Sequence, residues 1–482
     1  MNDKSSIKKS IFIVGLEKLS MIFFQFITAI ILARLLMPSD FGTVAMLTIF
    51  MSLASTLVDS GFGGSLVYYK DVGEKDYSTV FWLNLSVSLC LYVLMFISAE
   101  QIATFYKLPI LAKLIKVLGL SVVFSSIGLV QYSILYKNLE FKKIATISVV
   151  AYLISAIIAI YLAYTGMGVW ALIAQQVLGP LLRTSAFVFI NRFIPKFYFS
   201  RNIVIKHWHF GGGLFFSAIL KVVYDNMYVQ LIGKYCSIVN AGYYNQAKRL
   251  KDIPQELFSK TFETSLFPIL SKLTDDSIFT NKLQRITRVF AFLCSLLFFI
   301  ISILSDEIIK ILLGEKWLPS SWILEFISVG AIFYIFETIS RSALKAKGLS
   351  MLIFKIDLIK RSFFIIVMIL LVSYLDVKGM VIAFIINSFV GWCINSYYLS
   401  LHIPYTFFNQ LTDVLKYVLT GIIIFIGLSM LKEYASIQNN YYTVFVFGIV
   451  FLLSYTLLNV IIRDETVIFI YQDVKKRWIK KR

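Results

Sequence analysis

Ala241–Lys272, AGYYNQAKRLKDIPQELFSKTFETSLFPILSK, is the stretch on which the reading of the whole chain turns. Its neighbours are apolar segments long enough to cross a bilayer. It is as long as they are, yet it carries Lys248, Arg249, Lys251, Asp252, Glu256, Lys260 and Glu263. Spaced three or four apart, Lys248, Asp252, Glu256, Lys260 and Glu263 fall along one side of a helix. Facing lipid at mid-depth, each such charge costs roughly 2.5–3.5 kcal/mol. The helix must leave the membrane or face a watery interior, and the second is the expectation developed here.

Of the 482 residues 59% are hydrophobic, and the mean hydropathy is +0.80, values that soluble domains do not reach and polytopic membrane proteins do. Met1–Ser10 is short and basic, but the apolar run after it continues to Ala33 without a small-residue cleavage site, so a first span is expected rather than a cleaved leader. The net charge of +19 is spread over short loops between spans, which fits positive-inside topology and argues against a nucleic-acid partner. Cys90, Cys236, Cys294 and Cys393 are scattered singly, so neither a disulfide framework nor a metal site is expected. His207 and His209 flank Trp208, where an interfacial anchor is expected. A P-loop and a nucleophile elbow are both absent from the sequence, so neither ATP hydrolysis nor other enzymatic chemistry is expected, and no cofactor is implied.

About fourteen spans of roughly 20 residues can be drawn. They lie near 11–33, 41–67, 79–99, 112–136, 144–163, 168–191, 209–232, 240–271, 287–305, 323–344, 354–375, 379–400, 414–431 and 442–462. With the N-terminus inside, the inner loops and tail hold about threefold more Lys and Arg than the outer loops, which places both ends in the cytoplasm. Dropping the poorly apolar eighth span breaks this alternation. The longest outer loop, Ser305–Ser321, reads as a short amphipathic turn, with Trp317 and Trp322 at the interface.

The chain repeats itself. Shifted by 200 residues, Arg34 meets Lys234, Gly42 meets Gly242, Leu57 meets Leu257, Phe62 meets Phe262, and Ser65-Leu66 meets Ser265-Leu266. Six spans separate the copies, and an even offset keeps orientation, so the repeat is parallel. The expected architecture is an all-α polytopic membrane protein. It has a six-helix lobe at 1–200, a second at 201–405, two extra helices at 406–465 and a basic tail at 466–482.

Charges near span ends can snorkel, and Lys113, Lys116, Arg341, Lys355, Lys360 and Arg361 are mostly assigned there. Deeper lie Glu17 and Lys18, Asp59, Arg183, Lys221 and Asp225, and the charges of the eighth span. Lys221 with Asp225, Lys248 with Asp252, and Glu256 with Lys260 stand one turn apart and can pair. Pairing alone would make them helix glue. Yet Lys221, Lys248, Arg249 and Lys251 outnumber their nearest anions, Asp225 and Asp252, and a cationic surplus suits a phosphate or diphosphate. Pro254 and Pro268 are expected to interrupt the eighth span, and Gly211-Gly212-Gly213 to loosen the seventh.

The run ILARLLMPSDFGTVAMLTIF at 31–50, with LVDSGFGGSLVYYKD, YSTVFWLNLSVSL, YSILYKNLEFKKIA and the eighth-span segment, resembles bacterial polysaccharide and O-antigen export flippases. These are the Wzx-type proteins of the multidrug/oligosaccharidyl-lipid/polysaccharide exporter superfamily, and the similarity is greatest to the colanic-acid and teichuronic-acid exporter branch. It spans about residues 10–400. The resemblance implies fourteen helices in two lobes plus two. It also implies a protein of the bacterial cytoplasmic membrane that moves undecaprenyl-diphosphate-linked oligosaccharide to the outer leaflet by alternating access through a cationic cavity between the lobes. The matching cations are Lys221, Lys248, Arg249 and Lys251, with Arg34 and Lys234 near the outer mouth. Asp59, Asp225, Asp252 and Glu256 are candidate coupling or gating carboxylates. Partners would be the lipid-linked oligosaccharide and membrane lipids, with room for a polysaccharide polymerase and a chain-length regulator. A cation-coupled multidrug antiporter of the same fold is the alternative, with a polysaccharide polymerase or ligase behind it. The basic surplus opposes the first, and the short outer loops oppose the second.

Overall fold

The computed structural model of the chain describes residues 20–59, 61–435, 439–462, 464 and 466, the side chains of 210–217 and 265 excepted. Glu17 and Lys18, the N-terminal basic cluster and most of the C-terminal tail lie outside the described residues.

Every regular element among the described residues is helical. A first helix, α1, covers Ser20–Leu35. Then α2 (Pro38–Asp59) opens on a proline, whose fixed φ suits a first turn, and the Met37 N–H donates to Asp40 Oδ2 at 3.0 Å. Gly61, at φ 76°, turns the chain into the short α3 (Phe62–Tyr68). Next come α4 (Glu74–Phe105), α5 (Ile110–Leu118), α6 (Leu120–Lys137), α7 (Phe141–Tyr164) and α8 (Val169–Asn191). The long α9 (Arg201–Tyr235) runs helical through Gly211–Gly213, so the triple glycine does not break it.

The decisive stretch forms α10 (Ile238–Thr261), a π-turn at Phe262–Leu266 and the single turn α11 (Phe267–Leu270). Pro254 stands inside α10, and the helix continues through it. The interruption sits instead at the π-turn, just ahead of Pro268. A proline at 268 offers no N–H to the carbonyl of Thr264, and its ring crowds that carbonyl, so the local winding widens. Next, α12 (Asp276–Ile303) is capped by Asp275, which accepts from Ser277 N at 2.8 Å and Ile278 N at 3.0 Å. The Ser277 hydroxyl and these amides hold the Asp275 carboxyl below the ordinary carboxylate range. The chain closes with α13 (Ser305–Leu312), a 3₁₀ turn at Glu315–Ser320, α14 (Ser321–Ala346), α15 (Ser350–Ser400), α16 (Phe407–Ala435) and α17 (Asn440–Ile461). The 51 residues of α15 are broken at Asp376, where φ is 49° and ψ −135°.

Ten of these helices are long and apolar enough to cross a membrane, which makes this a multi-pass membrane protein. Contacts divide the chain into two compact units, 1–242 and 243–482. In the first, α2 packs along α9, α8 lies against α6 and α7, and α4 against α5 and α6. In the second, α12 sits against α14 and α16, and α14 runs along α15. The aromatic core of the second unit includes Phe292, Phe299, Tyr417, Phe451 and Tyr455. Trp317 belongs to the buried set and meets Tyr243 edge-on at 6.0 Å, so it is not the interfacial anchor that was expected. The 3₁₀ turn folds its indole inward.

Within the first unit two glycines make a reciprocal contact. A Cβ on Gly42 would stand 1.9 Å from the carbonyl oxygen of Ile238, and one on Gly242 would stand 2.1 Å from that of Pro38. Only glycine lets two backbones approach this closely. Residues 38 and 42 correspond to 238 and 242 under the 200-residue shift.

Candidate functional site

The charges of α10 sort into two sets. Lys248 and Lys251 converge on one carboxylate, with Nζ atoms 3.6 and 2.6 Å from Asp252. Lys251 is buried at 2% exposure, donates to Gln255 Oε1 at 2.7 Å and lies 4.6 Å from the centre of the Phe384 ring on α15. Its ammonium therefore acts through Asp252 and Gln255 rather than by open exposure. Lys248 and Asp252 are partly open, Arg249 is exposed, and Glu256 pairs with Lys260 on the exposed side. Two cations share one anion, so this turn of α10 is locally positive.

The other residues singled out from the sequence are distributed. Lys221 and Asp225 are exposed on α9, and Arg34 is exposed at the end of α1. Lys234, at the end of α9, donates to the Phe105 carbonyl and sits 3.6 Å from the centre of that ring. Asp59 ends α2, and its carboxylate takes the Gly63 backbone N–H, which ties α2 to the start of α3. Asp59 and Arg183 line one cavity of about 610 Å³ within the first unit, together with Tyr132, Tyr136 and several hydroxyl side chains.

Several buried polar clusters escaped the sequence reading, two of them joining helices near the expected sites. Lys360 on α15 and Glu337 on α14 are each 7% exposed and bonded to one another. Beside them Arg341 pairs with Asp357 at 2.5 Å, and Arg361 stands 3.9 Å from the same carboxylate. These three cations therefore form ion pairs within the second unit instead of snorkelling. The overlooked signal was Glu337, an acid in the middle of a span, which demands a partner. The second cluster is His207, fully buried, with Nδ1 2.7 Å from Ser65 Oγ and Nε2 3.3 Å from Asp76 Oδ1. It fastens α9 to α3 and α4, and it is an internal latch rather than the expected interfacial anchor. Among the described residues no group of three or more His, Cys, Asp or Glu could hold a metal ion.

The profile of a family described as polysaccharide biosynthesis protein matches residues 31–322. The succinoglycan biosynthesis transport protein ExoT of Rhizobium meliloti is 29% identical over 61% of this chain and 60% of its own length. The teichuronic acid biosynthesis protein TuaB of Bacillus subtilis is 26% identical over 80% of this chain and 81% of its own. The lipopolysaccharide biosynthesis protein WzxC of Escherichia coli is 26% identical over 82% and 83%. Among solved structures, the lipid II flippase MurJ in an inward closed conformation superposes with a TM-score of 0.72 at 18% identity, covering 93% of this chain and 99% of that one. That likeness establishes a shared fold.

Proposed function

Because this chain belongs to the polysaccharide biosynthesis protein family, we propose that it carries undecaprenyl-diphosphate-linked oligosaccharide repeat units from the inner to the outer leaflet of a bacterial cytoplasmic membrane. On this reading the chain is a transporter rather than an enzyme, in line with the transport role printed in the name of the succinoglycan relative. The observation that carries the cargo is the local positive charge of α10, where two ammonium groups, Lys248 and Lys251, share the single carboxylate of Asp252. A diphosphate esterified at both ends is a dianion, and it repays the desolvation of such a surplus, whereas a cationic drug is repelled by it.

The proposal extends to architecture. The ten apolar helices, the second crossing created by the break at Asp376, and α1, α9 and α10 together supply fourteen. They form a parallel six-helix repeat at 1–200 and 201–405 followed by two helices at 406–465, with both termini cytoplasmic. Substrate phosphates meet Lys221, Lys248, Arg249 and Lys251, with Arg34 and Lys234 at the outer end. Asp59, Asp225, Asp252 and Glu256 gate or couple the movement, which proceeds by alternating access.

The test uses a deletion strain that keeps its glycosyltransferases, with a membrane-impermeant sugar-modifying reagent reporting the leaflet of the lipid-linked oligosaccharide. Complete repeat units shielded on the inner leaflet are expected. Unpolymerised units on the outer leaflet would refute the proposal, and no accumulation would favour an antiporter of small molecules. Lys248→Ala combined with Arg249→Ala should reproduce the trapped state at normal protein level. Normal export from that variant would remove α10 from the substrate path.

A further inference from the structure

The cavity of the first unit differs in chemistry from α10. Its volume of about 610 Å³ lies within the roughly 300–1,000 Å³ range of sites that take small molecules. It holds one carboxylate, Asp59, and one guanidinium, Arg183, so its ionic groups sum to zero. Tyr132 and Tyr136 present rings 5.8 Å apart, each about two-fifths exposed. Ser55 and Ser125 add hydroxyls.

The occupant follows by elimination. An acyl chain would strip water from Asp59 and Arg183 and return no hydrogen bond, a cost of several kcal/mol. A phosphate would gain Arg183 and meet Asp59 as a like charge. A polyhydroxylated ring meets neither objection. Its hydroxyls donate to the carboxylate, accept from the guanidinium and exchange bonds with serine, while its C–H face lies on a tyrosine. The carboxylate keeps lone pairs beyond the one taken by the Gly63 amide. Glycine at 63 also keeps it reachable, since a Cβ there would stand 3.1 Å from Asp59 Oδ1.

We propose that this cavity is a sugar subsite, which takes an uncharged glycosyl residue of the carried oligosaccharide between Asp59, Arg183 and the Tyr132–Tyr136 pair. The proposal rests on the transport of lipid-linked sugar inferred above. It assigns recognition of one glycosyl residue of the cargo to the first unit.

The probe is the repeat-unit oligosaccharide accumulated by the deletion strain, released from its lipid by mild acid and dephosphorylated. Saturation-transfer NMR on the purified full chain in lipid nanodiscs should show transfer to the ring protons of this probe. Asp59→Asn and Tyr132→Ala should each weaken it at least tenfold. Ser125→Leu, which fills space and leaves both charges in place, should do the same with an unchanged thermal transition. Equal transfer in all three variants, or displacement of the probe by inorganic phosphate, would overturn the subsite. So would absence of transfer in a wild-type chain that still exports. If the deletion strain yields no repeat units at all, the transport reading itself fails and the subsite falls with it.

Discussion

Lys360 and Glu337 form a buried pair, and Gly391 is what makes room for it. A Cβ at 391 would stand 2.5 Å from Glu337 Oε2 and 3.0 Å from Lys360 Nζ. Glu337→Leu alone leaves an unpaired buried ammonium and should cost about 3–5 kcal/mol. Removing both charges, as Glu337→Leu with Lys360→Met, should cost less than that single change, because no charge is stranded. Thermal melting of the three proteins in detergent checks the order. A double variant weaker than the single one would show that the Lys360 ammonium is not stranded when Glu337 is gone. At this scale the sequence was legible in part. The one-turn pairs on α10 follow from spacing along a single helix, so Lys248–Asp252 and Glu256–Lys260 could be read. Glu337–Lys360 and His207–Asp76 join different helices. No periodicity encodes which face of one helix meets which face of another, so from sequence Lys360 reads as a span-end charge and His207 as a membrane-surface residue.

Helix packing sets the next predictions. Gly42 and Gly242 let the start of α2 and the start of α10 touch through their backbones. Gly242→Ala puts a methyl where the Pro38 carbonyl already stands, so the backbones must separate at about 1–3 kcal/mol or more. Gly427 is also helical, yet a Cβ there meets nothing within 4 Å. Gly427→Ala should therefore hold or raise the melting temperature, since glycine costs a helix roughly 0.5–1 kcal/mol relative to alanine. A matched rise in both variants would mean that propensity, not the crossing, decides. The long apolar elements were readable because a span needs about 20 apolar residues whatever surrounds it. The break at Asp376 falls between the expected spans 354–375 and 379–400. The site of the interruption near α10 was not readable. Two prolines look alike in sequence, and only packing decides that Pro254 is absorbed and that the winding widens ahead of Pro268.

For the whole molecule the decisive quantity is orientation. With the four native cysteines replaced by serine, a cysteine placed at Ser237 should react with an impermeant maleimide added outside intact cells, and one placed at Asp276 only after permeabilisation. Equal reactivity would cancel the crossing by α10 and the fourteen-span count with it. Charge bias between loops made orientation legible as an expectation, because insertion responds to Lys and Arg in short loops. The cavity holding Asp59 and Arg183 was not legible, since its walls come from α2, α3, α6 and α8, far apart in the chain. The glycine crossing carries a consequence of another kind. The carbonyl of residue 38 meets residue 242, and that of residue 238 meets residue 42. Reciprocity of this form belongs to an isologous interface, where one patch pairs with its own copy about a twofold axis. A half-length ancestor that dimerised through this glycine would have made both contacts with a single residue. Duplication and fusion of such a half would preserve the pairing while freeing the two copies to diverge.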